Sequence, residues 1–127
     1  MWFILVSWIK ACDAKTVNNG DMIDFDYNEK KILISKINNK IYATDRICTH
    51  AYADLSTGFV NEDEITVTCP LHMSRFNLES GMPENLPAEE PLKTYSIEIR
   101  DGWVYILIWN PIHNVSFSCS TFFGLME

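Results

Sequence analysis

The dipeptide Asp101-Gly102 stands between two apolar-rich runs, residues 95–100 and 103–108, and constrains the chain more than any other local feature. Both residues tolerate the positive φ that a two-residue hairpin turn needs at its centre. Asn38-Asn39 repeats the arrangement between residues 31–37 and 40–44, and Asn61-Glu62-Asp63 makes an acidic turn between Phe59-Val60 and residues 65–68. Residues 7–12 and 21–27 open the series, the second with apolar–acidic alternation through Ile23-Asp24-Phe25-Asp26-Tyr27. Period-two alternation puts one face on a core and the other in water. About eight short strands at this spacing predict an all-β antiparallel sandwich or barrel.

The chain's 127 residues allow one domain with one core. Ten Lys and Arg against seventeen Asp and Glu leave a formal charge of -7. Binding to nucleic acid runs on cations that displace condensed counterions, so the charge argues against such a partner. Residues 1–9 are almost all apolar, but a spanning helix needs about twenty residues. They also lack the basic start and small-residue cleavage site of a secretory signal. Residues 1–6 are therefore expected to be an apolar N-terminal extension, a short strand or the product of an upstream start, with no membrane role. A cytoplasmic location follows as an expectation. There four cysteines read as metal ligands before disulfides.

Two stretches break the strand rhythm. Residues 45–58 carry Cys48-Thr49-His50, and residues 69–91 carry Cys69-Pro70-Leu71-His72 with Pro83, Pro87 and Pro91. Proline removes a ladder donor, so the second stretch is expected to leave the sheets as loop. Each box sets a thiolate beside an imidazole. Two such loops closing on one centre supply two sulfurs and two nitrogens, enough for a tetrahedral zinc or a Rieske cluster of two irons and two sulfides. Zinc fingers pair Cys with Cys and His with His, whereas each loop here carries one of each, which favours the cluster.

With Leu55-Ser56-Thr57-Gly58 after the first box and Arg75-Phe76-Asn77 after the second, the chain resembles the Rieske-type ferredoxins of multicomponent aromatic-ring dioxygenases. Trp8-Ile9-Lys10, Ile41-Tyr42-Ala43-Thr44-Asp45 and the run from Pro87 to Tyr95 are similar to the same group. The resemblance implies a single Rieske domain over residues 7–108. It further implies a cluster-binding subdomain at about 45–92 and a C-terminal extension of unknown role over 109–127. It implies one 2Fe–2S cluster, with Cys48 and Cys69 on a buried iron and His50 and His72 on an outer iron near solvent. A proline lid over residues 83–91 would exclude water. The implied function is one-electron transfer from an NAD(P)H-dependent flavoprotein reductase to a terminal oxygenase, by a monomer that is not itself an enzyme. Two alternatives stay open: a small subunit of a nitrite-reductase-type enzyme, and a zinc-stabilised binding module.

Ser74 departs from the commoner glycine of the resembled ferredoxins. A hydroxyl there would hydrogen-bond cluster sulfur and raise the reduction potential. The bridging cysteines of high-potential Rieske proteins are missing, so the expected potential is low to intermediate. Cys12 and Cys119 read as small hydrophobes and His113 as a surface residue. Trp103, Tyr105 and Trp109 read as core or edge aromatics. The acidic groups Asp21/Asp24/Asp26 and Glu62/Asp63/Glu64 read as solvated turns or a docking surface for a basic partner.

Overall fold

A computed structural model describes residues 3–50 and 52–112 of the chain. Ten strands run in chain order: β1 (Phe3–Asp13), β2 (Met22–Tyr27), β3 (Lys30–Ile37), β4 (Lys40–Asp45), β5 (Phe59–Asn61), β6 (Thr66–Thr68), β7 (Arg75–Asn77), β8 (Thr94–Tyr95), β9 (Ile97–Arg100) and β10 (Trp103–Ile112). All strand pairs are antiparallel. Two 3-10 turns, Ala14–Thr16 and Leu55–Thr57, interrupt them, and no α-helix occurs among the described residues. No helix among these residues is long and apolar enough to cross a membrane.

The turn chemistry works as the dipeptides dictate. Asn38 and Asn39 take φ of 52° and 65°, and Asp101 and Gly102 take 50° and 80°. Both pairs have the doubly positive φ of a type I′ turn, whose twist matches the strands it joins. Asn28 and Glu29 form another such turn, at 47° and 68°. Glu gives no sequence signal for it.

The strands make three sheets, ordered β1-β10-β9, β2-β3-β4-β8 and β5-β6-β7. The middle sheet is covered on both faces, which is why β3 reads as a nearly unbroken apolar run. Ile32 and Ile34 join Val104, Ile106 and Ile108 of β10 in one core. Leu33 and Ile37, pointing the other way, join Val67 and Phe76 of the third sheet, and Leu78 just after it, in a second core. Alternation along one strand thus feeds two cores.

Three expectations are corrected. The stretch 69–91 is not all loop, because β7 lies inside it and pairs with β6. Between Pro70 and Pro83 no proline removes a donor, so this piece is free to join a ladder. The run 95–100 is not one strand: β8 pairs with β4 and β9 with β10, and the chain changes sheets at Ser96. Trp103 and Trp109 are not core residues either. They are 37% and 42% exposed on the outer face of β10, because Val104, Ile106 and Ile108 take the core positions between them. His113, Cys119 and the rest of the tail from residue 113 lie outside the described residues.

Candidate metal centre

Both Cys/His boxes sit on short loops closed by the same pair of main-chain hydrogen bonds. In the first, the Cys48 N–H donates to Ala53 O at 2.8 Å and the Tyr52 N–H to Cys48 O at 2.9 Å. In the second, the Cys69 N–H donates to Ser74 O at 2.8 Å and the Met73 N–H to Cys69 O at 3.0 Å. Each turn needs a left-handed residue, Tyr52 at φ 56° and Met73 at φ 60°. A bulky side chain held there costs about 1 kcal/mol or more, strain of the kind found where geometry serves a site.

The loops bury their sulfurs and expose their rings. Cys48 and Cys69 are fully buried within the same apolar cluster. His50 and His72 are exposed, with ring centroids 5.3 Å apart at an interplanar angle of 65°. Among the described residues no three His, Cys, Asp or Glu side chains converge on a single-ion position. Tetrahedral zinc needs its four ligands on one point. An inner thiol pair and an outer imidazole pair instead fit two metal positions, as in a cluster carrying thiolates on one iron and imidazoles on the other.

The bases of the loops meet at Gly58, which follows the 3-10 turn Leu55–Thr57. A Cβ on Gly58 would overlap the Thr68 carbonyl oxygen, directly before Cys69. Only glycine permits that approach, which fixes the spacing of the two loops.

The proline segment ties itself to both loops. Thr49 Oγ1 donates to Glu90 O at 2.8 Å. Asn85 Oδ1 accepts from the Arg75 N–H at 2.6 Å, and its Nδ2 donates to Met73 O at 3.1 Å. Ser74 is fully buried, and its Oγ accepts from the Ala88 N–H at 3.2 Å. A hydroxyl that accepts still has its own proton to donate. The matching position in the first loop is Ala53, so only the second loop carries a hydroxyl at that position.

Sequence reading missed Arg46, two residues before the first box. Its side chain is 5% exposed, with Nη2 2.8 Å from Asp26, Nε 3.3 Å from Asp54 and Nη1 4.0 Å from Asp24. Nε and Nη1 make charge contacts without hydrogen-bond geometry. Asp24 and Asp26 are therefore neither turn residues nor free acids: they lie on β2 and face a buried cation. Asp54 also caps the 3-10 turn, accepting from the Ser56 N–H at 2.9 Å. Burial alone pushes the Asp54 carboxyl up, but the Ser56 hydrogen bonds and the charges of Arg46 and Lys31 outweigh it and hold it below the usual range. The apolar–acidic alternation of β2 was the available signal, but it does not say which cation the acids meet.

The Rieske [2Fe-2S] domain family matches residues 7–96. The chain belongs to that family. The Rieske family brings with it one 2Fe–2S cluster of Rieske type, and the split donor set fits it. This Rieske chain is 36% identical over 95 residues to the ferredoxin component of the naphthalene 1,2-dioxygenase/salicylate 5-hydroxylase systems of a Ralstonia species, covering 75% of this chain and 89% of that protein. It matches the ferredoxin in a complex of reduced oxygenase and oxidized ferredoxin of carbazole 1,9a-dioxygenase at 31% identity and a TM-score of 0.73, covering 78% and 91%. A chain described as an NADH-dependent nitrite reductase small subunit, from Mycobacterium tuberculosis, has a TM-score of 0.71 at 15% identity, covering 82% and 96%. That likeness is one of fold alone.

Proposed function

We propose that this protein is the ferredoxin component of an oxygenase system, a cytoplasmic monomer that carries single electrons from a flavoprotein reductase to a terminal oxygenase. Cys48 and Cys69 would hold the inner iron, and His50 and His72 the outer one. When bound, the cluster supplies the one-electron redox step. The chain's own residues insulate, orient and expose. Leu55, Val67, Phe76 and Leu92 close the apolar cluster around the two cysteines, which keeps water from the sulfur side. Ala88 of the proline segment and Leu92 just after it are buried in the same cluster as the two cysteines. The His50 and His72 rings reach the surface, where a partner can approach closely enough for electron transfer. Tyr52, Leu71 and Leu86, all more than half exposed, offer that partner apolar contact without a fixed pocket. The observation that carries the reading is the burial split, with both thiols inside and both imidazoles outside.

The relatives' place in dioxygenase systems supports the carrier role over the nitrite-reductase reading, which has only the shared fold behind it. Iron and acid-labile sulfide analysis of the purified protein tests it directly, together with EPR of the reduced form. The expected result is two irons and two sulfides per chain, with a Rieske-type rhombic signal. Cys48→Ser and His72→Ala should each abolish that signal while the fold persists by far-UV circular dichroism. A colourless, zinc-loaded protein would end the proposal.

A further inference from the structure

Among the described residues Arg46 is the one charged side chain in the buried set, and neither electron transfer nor ligation needs an arginine there. A buried cation is tolerated only if it is paired, and here three carboxylates from two separate segments surround it. Its backbone is also engaged on both sides. The Arg46 N–H donates to Lys31 O at 2.9 Å, and Arg46 O accepts from the Leu55 N–H at 2.7 Å. Ile47 and Asp54 form the bridge at the loop's neck. Asp24 and Asp26 belong to β2, and Asp54 stands at the far end of the loop that starts at Cys48. The guanidinium therefore spans the neck of the first ligand loop and pins it to the four-stranded sheet. The second loop has the same main-chain closure but no buried cation: Arg75, which follows it, is half-exposed, with Nε 3.8 Å from Glu64. It is held instead by Asn85 at Met73 O and the Arg75 N–H.

We infer that Arg46 is a positioning residue that holds the Cys48–His50 loop in its ligating shape through a shared pairing with Asp24, Asp26 and Asp54, and that the two ligand loops are anchored by different chemistry. The inference rests on the reading that Cys48 and His50 are ligands. Anchoring by charge needs the planar fork to reach several carboxylates at once, so a lysine, a single point charge, should not replace it. Anchoring by the amide of Asn85 involves no formal charge.

The matched loops provide an internal control. Amide hydrogen exchange on the intact holoprotein reads the Cys48, Tyr52 and Leu55 N–H groups against those of Cys69 and Met73. Arg46→Met and Arg46→Lys should each lower protection at the first three by about tenfold or more and leave the second loop within about twofold. Chelator-driven bleaching of the visible cluster band should quicken by a similar factor, and the visible circular dichroism should change shape. Asp54→Asn, a half-exposed carboxylate whose loss leaves the core intact, should reproduce the first-loop pattern more weakly, and it serves if the Arg46 variants do not fold. Equal loss of protection in both loops would reduce Arg46 to general stability and overturn the inference. So would an unchanged first loop, or full rescue by lysine. Iron analysis of the unmutated protein decides the ligand reading separately, because the exchange comparison within the chain does not depend on it.

Discussion

Ser74 and Tyr95 show how single hydroxyls serve this molecule in different ways. The Ser74 Oγ is buried beside the second box and accepts from the Ala88 N–H, so its own proton would be available to a cluster sulfur if Cys69 and His72 are ligands. A hydrogen bond that strengthens on reduction raises the potential. Ser74→Ala should lower it by about 60 mV, the one-electron equivalent of the ~1.4 kcal/mol that one such bond contributes; protein-film voltammetry reads this directly. Tyr95 donates its O–H to Asp45 Oδ1 at 2.6 Å, tying β8 to the start of the first ligand loop. Burial pushes the Tyr95 phenol well above its ordinary value, and the Asp45 hydrogen bond and charge push it further. A raised folded pKa means stability present below the unfolded value, about 10, and lost as pH rises beyond it. Denaturant midpoints of the wild type should therefore start to fall near about pH 10 and keep falling as the pH rises above it. Tyr95→Phe should flatten that decline and cost about 1–2 kcal/mol at neutral pH.

At the scale of elements, function depends on connectors more than strands. The third sheet has strands of only three residues each, too short to be independently stable. Its order comes from Phe76 and Val67 in the core and from the segment that folds back over it. Gly81 is the hinge of that return: its N–H donates to Asn77 O and its carbonyl accepts from the Leu92 N–H. It sits at φ 80°, and a Cβ there would overlap the Leu92 carbonyl oxygen. Gly81→Ala combines backbone strain with a clash that no side-chain rotation relieves, so it should destabilise the fold by about 3 kcal/mol or more. Thermal unfolding of the holoprotein checks the size. Faster bleaching at temperatures well below that unfolding would show that the lid opens first.

On the whole molecule, a formal charge of -7 makes encounter with a partner electrostatic. Two pairs of acids face different surroundings. Asp24 and Asp26 are turned toward Arg46, whereas Glu89 and Glu90 line a shallow groove with Thr49, His50 and Pro87 beside the exposed imidazoles. On the proposed function, the second pair would steer a basic partner to the His50 edge of the site. Stopped-flow reduction by a flavoprotein reductase should slow by about tenfold between low and moderately high salt, because screening shortens the reach of that field. Neutralising both groove acids, Glu89→Gln with Glu90→Gln, should flatten the salt dependence and leave the fold unchanged. A rate independent of ionic strength would remove the groove from the docking surface.

Some of this was legible along the chain. Asn38-Asn39 and Asp101-Gly102 marked their hairpins because positive φ is a property of those residues themselves. The boxes Cys48-Thr49-His50 and Cys69-Pro70-Leu71-His72 announced a metal because ligand type and local spacing are written in adjacent positions. Asn28-Glu29, β7 and the crossing at Ser96 were not legible, since ladder partners far away in sequence impose them. Neither was Arg46, whose three carboxylates come from strand and loop positions that only folding brings together. The amino-acid order by itself determined which atoms could bind metal and where the chain must turn. Tertiary structure decided that both sulfurs lie inside and both rings outside, because burial depends on which distant side chains arrive to exclude water.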